Sequence, residues 1–162
     1  MNIYLLFKVV HLLAVVAFLG NITTGLFWMK WAYKSKNIGY MQHAVSGIIA
    51  SDKLFTIPGV VILTIGGFAA AIKGGLPLLS TGWIFWPIVL FSLSGLFFTV
   101  KVAPLQKKMK QCLETSSDDE LKNQQFTVIM KQWEFWGALA LLTPLISFFM
   151  MILKWPLVSP LG

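Results

Sequence analysis

The chain has 162 residues, of which 57% are hydrophobic and only 12% are charged. A soluble domain of this length carries about twice that share of charged residues, so the composition excludes a soluble globular protein and predicts an integral membrane protein. The net charge of +7 does not indicate nucleic-acid binding, because the lysines flank apolar segments, where an anionic leaflet attracts them.

Four apolar stretches are long enough to cross a bilayer as helices, which takes about 20 residues each. They cover residues 3–29, 54–72, 83–100 and 135–153. The first is interpreted as an uncleaved helix and not as a secretory signal, because it is too long and its Lys8 lies inside the apolar run. We therefore expect one membrane domain over residues 1–162, folded as an all-α, antiparallel bundle of four transmembrane helices.

The lysines are divided unequally between the two ends of these spans. On one side, here called the lysine-rich side, lie Lys30, Lys34, Lys36, Lys53, Lys101, Lys107, Lys108, Lys110, Lys122 and Lys131. On the other, here called the outer side, lie Lys8, Lys73 and Lys154. Because basic residues are enriched in cytoplasmic loops, we expect the lysine-rich side in the cytoplasm and both termini outside, in the inner membrane of a bacterium.

Small and polar residues in three of the spans fall on one helical face at about 100° per residue. Such stripes hold membrane helices together through close packing and hydrogen bonds, so we expect them to face one another. In the first span the stripe is His11, Ala14, Phe18, Asn21, Gly25 and Trp28. In the second it is Thr56, Gly59, Leu63, Gly66, Gly67 and Ala70, and in the fourth Glu134, Gly137, Leu141, Pro144, Phe148 and Met151.

The connections on the lysine-rich side are longer than simple turns. Residues 30–53 mix charge with an apolar periodicity, which predicts an interfacial amphipathic helix or an extension of the second span. Residues 106–125 allow a helical extension and a turn. The tryptophans lie at the span ends, which indicates an interfacial aromatic belt. A second interpretation is that they form stacking surfaces for a macrocycle or quinone. They are Trp28, Trp31, Trp83, Trp86, Trp133, Trp136 and Trp155.

His11 lies about 12 Å along the helix axis from the outer end of the first span. An ionisable side chain at that depth is expected to face the bundle interior. One interpretation is a neutral imidazole hydrogen-bonded between helices; the other is an axial ligand to haem b. His43 is about 25 Å away in depth, so the candidate pocket residues come from the outer ends of the other spans: Trp83, Trp86 and Met151, the last as a second axial ligand. A five-coordinate haem on His11 alone stays open.

A second group of polar residues lies in the lysine-rich half: Asn21, Asp52, Lys101 and Glu134. One interpretation is an interhelical network in which Asp52 or Glu134 pairs with Lys101 or Lys131. The other is a proton entry path, because carboxylates within membranes relay protons. The residues themselves do not decide between the two.

Over nearly its whole length, the chain resembles a bacterial family of predicted integral membrane proteins, domain of unknown function 2269, through several short motifs. They are "FKVVHLLAVVAFLGN", "DKLFTIPGVV", "GW" opening the third span, "PLQKKM", "QWEFWG" and the closing "LKWP". The layout is distantly similar to HemJ-type protoporphyrinogen oxidases and CopD-like copper proteins. The first resemblance implies haem b on the first-span histidine, here His11. The third span lacks the lysine that those enzymes carry there, which weakens the implication of protoporphyrinogen oxidation.

The leading hypothesis is a small membrane protein that binds one haem b through His11 and exchanges electrons with a membrane redox partner or quinone. The alternatives are a cofactor-free scaffold, in which His11 and Asn21 only join helices, and a copper or small-solute transport role. The sequence leaves open whether the protein is an enzyme and whether it forms homo-oligomers.

Overall fold

The computed structural model describes residues 3–115 and 119–161, which form four long helical rods. The first rod is helix α1, Ile3–Lys34. The second joins α2, Ile38–Ser51, to α3, Ile57–Lys73, and the third joins α4, Gly82–Phe97, to α5, Ala103–Thr115. The fourth is α6, Asp119–Leu153. Within the described residues, four helical segments are long and apolar enough to span a membrane, which confirms the expected all-α four-span fold.

Each of the two middle rods contains a π-helical turn of five residues, Asp52–Thr56 in one and Phe98–Val102 in the other. In both rods a proline, Pro58 or Pro104, follows two residues after the turn. A proline offers no N–H to the carbonyl four residues earlier. In the π turn before each proline, each N–H bonds instead to the carbonyl five residues back, and this wider turn accommodates the missing hydrogen bond. The rods therefore continue through their prolines without a break.

The first two turns between rods each contain a residue with a positive φ. Lys36 has a positive φ of 54°, and Asn37 caps α2 by accepting a 3.1 Å hydrogen bond from the Tyr40 N–H. Gly75, just after α3, has a φ of +65°, a conformation that glycine adopts without steric cost. Of the two expectations for residues 30–53, the structure shows the extension of the second span, since α2 continues into α3.

The rods associate in pairs on the outer side and as a group on the lysine-rich side. α1 packs mainly along α3, and α4 mainly along α6. The largest cluster of buried apolar side chains lies on the lysine-rich side, where α2 and α5 join the other helices. There, Phe126, Met29, Met41 and Met109 are fully buried. The outer half of α1 instead exposes a broad apolar face that suits lipid, including Val9, Leu13 and Val16.

The predicted stripes hold in α3 and in the outer half of α1, but the buried face differs from the prediction at the lysine-rich end of α1 and along α6. Trp28 is 51% exposed, whereas its neighbour Met29 is 0% exposed, because α2 packs beside that end of α1 and shifts the buried face. Trp28 instead lies edge-on to Trp31, with ring centroids 5.6 Å apart. In α6 the buried face lies about one residue earlier than expected: Trp133, Gly137, Ala140, Pro144 and Ser147.

This shift also corrects the interpretation of Trp133, which was expected in the interfacial belt. Trp133 is only 4% exposed and belongs to the buried cluster. α6 extends beyond the apolar span on the lysine-rich side, where α5 packs against it. A tryptophan at the end of the span is therefore inside the protein.

The C-terminal residues fold back over the loop that precedes α4. Thr81 and Val158 form an isolated antiparallel bridge, and the Gly82 N–H donates to the Leu157 carbonyl at 3.2 Å. A Cβ atom at Gly82 would lie 2.5 Å from the Pro156 and Val158 carbonyl oxygens, so this contact requires a glycine. The outer end of the α4–α6 pair is thereby covered.

Candidate functional site

His11 is held between α1 and α3 by one hydrogen bond. Its Nδ1 lies 2.8 Å from the Leu63 carbonyl oxygen. A carbonyl oxygen can only accept, so Nδ1 carries the proton and donates it. In a neutral ring the other nitrogen, Nε2, is then unprotonated and able to bind a metal. Among the described residues, no protein hydrogen bond to Nε2 is present.

Two adjacent glycines of α3 allow the close approach of His11. A Cβ atom at Gly66 would lie 3.4 Å from the His11 backbone, and one at Gly67 would lie 3.0 Å from the ring atoms Cε1 and Nδ1. Any larger residue at Gly67 would therefore push against the imidazole. The glycines in the predicted stripe of the second span thus form the surface on which the ring rests.

The other expected pocket residues lie on the second helix pair. Trp83 and Trp86 belong to α4, and Met151 is partly buried on α6. The Lys154 ammonium lies 5.8 Å from the Trp83 ring centroid, a distance typical of a cation–π contact. Because α1 packs mainly along α3, the structure puts His11 on one pair and these three residues on the other. His43 is exposed on α2.

Asp52 is the centre of a buried polar cluster where the first π turn begins. Its Oδ1 accepts hydrogen bonds from Asn21 Nδ2 at 3.1 Å and from Thr56 Oγ1 at 2.8 Å. Its Oδ2 accepts from Gln106 Nε2 at 2.8 Å. Asp52, Thr56 and Gln106 are all less than 9% exposed. One carboxylate therefore joins α1, the second rod and α5 through neutral donors.

Lys101 and Glu134 do not take part in the hydrogen bonds of this cluster. The Lys101 ammonium lies 5.3 Å from the Trp136 ring centroid. Glu134 pairs with Lys30, with 2.9 Å between Oε1 and Nζ, and not with Lys101 or Lys131 as expected. Among the described residues, Asp52 has no lysine partner either. The structure thus brings Asn21 and Asp52 together, whereas Lys101 and Glu134 have partners outside the Asp52 cluster.

Sequence reasoning missed Gln106 as a partner of Asp52. The residue begins the segment 106–125, for which the sequence predicts a helical extension and a turn. Its neighbours Lys107 and Lys108 are exposed, whereas Gln106 shares the buried face of α5 with Leu105 and Met109. The apolar spacing of Leu105, Met109 and Leu113 was the signal that could have identified an inward face.

The family described as "Predicted integral membrane protein (DUF2269)" matches residues 5–155. The chain belongs to this family. No curated protein matches the chain, and no solved structure does. Membership of the DUF2269 family agrees with the four membrane-spanning rods, while similarity to the HemJ-type and CopD-like proteins stays a prediction.

The copper alternative gains no support from the DUF2269 chain's geometry. Within residues 3–115 and 119–161, no three side chains of the His, Cys, Asp and Glu types come together as they would in a metal site. Cys112 is buried on α5, far along the chain from His11. The two groups that remain candidates for function are therefore His11 with its glycine surface and the Asp52 cluster.

Proposed function

We propose that this DUF2269 protein binds one haem b through Nε2 of His11 and exchanges electrons with a membrane redox partner or quinone. The observation that carries the proposal is the hydrogen bond from His11 Nδ1 to the Leu63 carbonyl oxygen. Histidines that bind metals almost always donate their other ring N–H to a carbonyl or carboxylate, which fixes the tautomer and the ring orientation.

The donor set fits a haem held by a single histidine. A lone axial imidazole is sufficient for a five-coordinate haem, and imidazole suits iron. In this proposal Leu63 orients the ring, and the apolar surfaces of α1 and α3 exclude water from it. Met151, Trp83 and Trp86 lie on the α4–α6 pair, and in this proposal they would complete the pocket. When bound, haem would supply a one-electron redox centre.

A cofactor-free scaffold is the second candidate, and one observation favours it. The contacts of His11 with Leu63, Gly66 and Gly67 also join α1 to α3 without any ligand. In that case the imidazole serves only to connect two helices, as polar side chains often do in membrane bundles. The two candidates differ in whether Nε2 has a ligand.

The test is an optical spectrum of the protein purified in mild detergent from haem-supplied cells. The haem proposal expects a Soret band that His11→Ala abolishes and that His43→Ala leaves unchanged, since His43 is exposed on α2. Colourless wild-type protein that is folded and monodisperse would contradict haem binding. Unchanged thermal stability in His11→Ala would argue against the scaffold role as well.

A further inference from the structure

A small cavity lies beside the Asp52 cluster, on the lysine-rich side of the bundle. Its volume is about 30 Å³, and its walls include Asn21, Gly25, Asp52, Gln106 and Trp133. Both π turns contribute to it, through Asp52 in the first and Phe98 and Val102 in the second. Irregular turns of this kind are frequent at functional sites. The cavity therefore lies where the two middle rods depart from regular helical geometry.

One of the residues that line this cavity, Trp133, carries a buried hydrogen-bond donor with no acceptor. Trp133 is 4% exposed, and among the described residues its indole Nε1–H has no partner. Buried polar groups in native proteins are nearly always hydrogen-bonded to protein or to ordered water. A lone donor on the wall of a cavity that also holds a carboxylate points to a bound species that accepts from it.

The size of the cavity and the type of its polar groups restrict what that species is. About 30 Å³ is enough space for one water molecule. The amides of Asn21 and Gln106 already donate to Asp52. The donor that still needs a partner is the Trp133 indole N–H, which requires a ligand that can accept.

We propose that the cavity binds one internal water molecule that accepts a hydrogen bond from Trp133 Nε1–H and donates one to the Asp52 carboxylate. This water would satisfy the unpaired indole and connect α6 to the carboxylate, which already joins α1, the second rod and α5. It would also give Asp52 an exchangeable partner within the bundle, besides its three protein donors.

The water site can be tested by NMR on protein carrying ¹⁵N-labelled tryptophan in nanodiscs. Trp133→Phe identifies the Trp133 indole signal. We expect that signal at a hydrogen-bonded chemical shift, with magnetisation transfer between its N–H and water. An indole N–H at the shift of a free donor, with no transfer from water, would overturn the proposal.

A matched pair of glycine variants separates a bound water from general exposure. A Cβ atom at Gly25, on the cavity wall, would meet only Ile48 carbons at 3.6 and 3.9 Å, which are ordinary contacts, so Gly25→Ala fills space without a clash. It should remove the water transfer at Trp133 and move its indole signal. Gly20→Ala, with nothing within 4 Å of its Cβ, should change neither. Unchanged transfer in Gly25→Ala would also overturn the proposal.

Discussion

Asp52 and Gln106 are 54 residues apart in the chain, yet their side chains are joined by a 2.8 Å hydrogen bond inside the bundle. Asp52 begins the first π turn, and Gln106 lies two residues after Pro104, which follows the second. This bond connects the second and third rods on the lysine-rich side.

We expect Gln106→Leu to lower the free energy of unfolding by about 1–3 kcal/mol, because it removes a donor from a buried carboxylate. Thermal unfolding in detergent, followed by circular dichroism, measures the effect. The matched control is Gln111→Leu on the exposed face of the same helix, α5, which should change stability little. Equal midpoints for the two variants would show that the hydrogen bond to Asp52 contributes nothing.

The glycine surface under His11 gives a second prediction. Gly67→Ala puts a Cβ atom 3.0 Å from the imidazole, so the ring or the helix must move, and we expect a loss of about 1–3 kcal/mol of stability from overpacking. The Soret absorbance per protein should fall as well if His11 binds haem. Gly47→Ala is the control, because its Cβ has nothing within 4 Å. A Gly67→Ala protein with the stability and spectrum of the wild type would refute this packing.

The ion pair between Lys30 and Glu134 should matter far less. Its side chains are 60% and 42% exposed, and exposed pairs contribute about 0–1 kcal/mol. We expect Glu134→Gln to shift the thermal midpoint only slightly, and less at high salt than at low salt. A loss as large as that of Gln106→Leu would mean that Glu134 has a role in the buried network after all.

The orientation predicted from the lysines can be checked with fusions. An alkaline phosphatase fused after the C-terminus should be active in a bacterial host, and a fluorescent protein at the same position should stay dark, because we expect both termini outside. The reverse pattern would put the lysine-rich side outside the cell. His11 would then lie near the cytoplasmic face, and the direction of any electron transfer would change with it.

The parts of the fold that follow from local pattern could be predicted from the sequence. Apolar length defines the four spans, and small residues at helical spacing identified the contact between His11 and the glycines of α3. Both depend on helix geometry alone, so a single sequence is sufficient. The hydrogen bond of Asn21 to Thr56 follows from the same stripes.

The partners of charged and aromatic residues could not be predicted in this way. Lysine side chains are long and flexible, so several of them can reach one carboxylate, and only the packing of the rods selects Lys30 for Glu134. Trp133 is a tryptophan at the end of a span, as belt residues are. It is nevertheless buried, because α5 packs against α6 beyond the membrane. That contact joins segments whose spatial relationship no local pattern reveals.

The π turns are predictable from the sequence only in part. The sequence contains their signal twice, since a proline follows each turn at the same spacing, in "DKLFTIP" and in "FTVKVAP". A proline within a long apolar run predicts a local irregularity, but it does not tell whether the helix kinks, ends or adopts a wider turn. Here the helix continues in both cases.

The haem proposal requires that His11 donates through Nδ1 and leaves Nε2 free for a ligand. NMR of ¹⁵N-labelled histidine in the purified protein tests it directly, since the chain has 2 histidines and His11→Gln identifies the signal. We predict a neutral ring with the proton on Nδ1 and, in haem-loaded protein, a signal shifted by iron at Nε2. A neutral ring with its proton on Nε2, unaffected by haem, would contradict it.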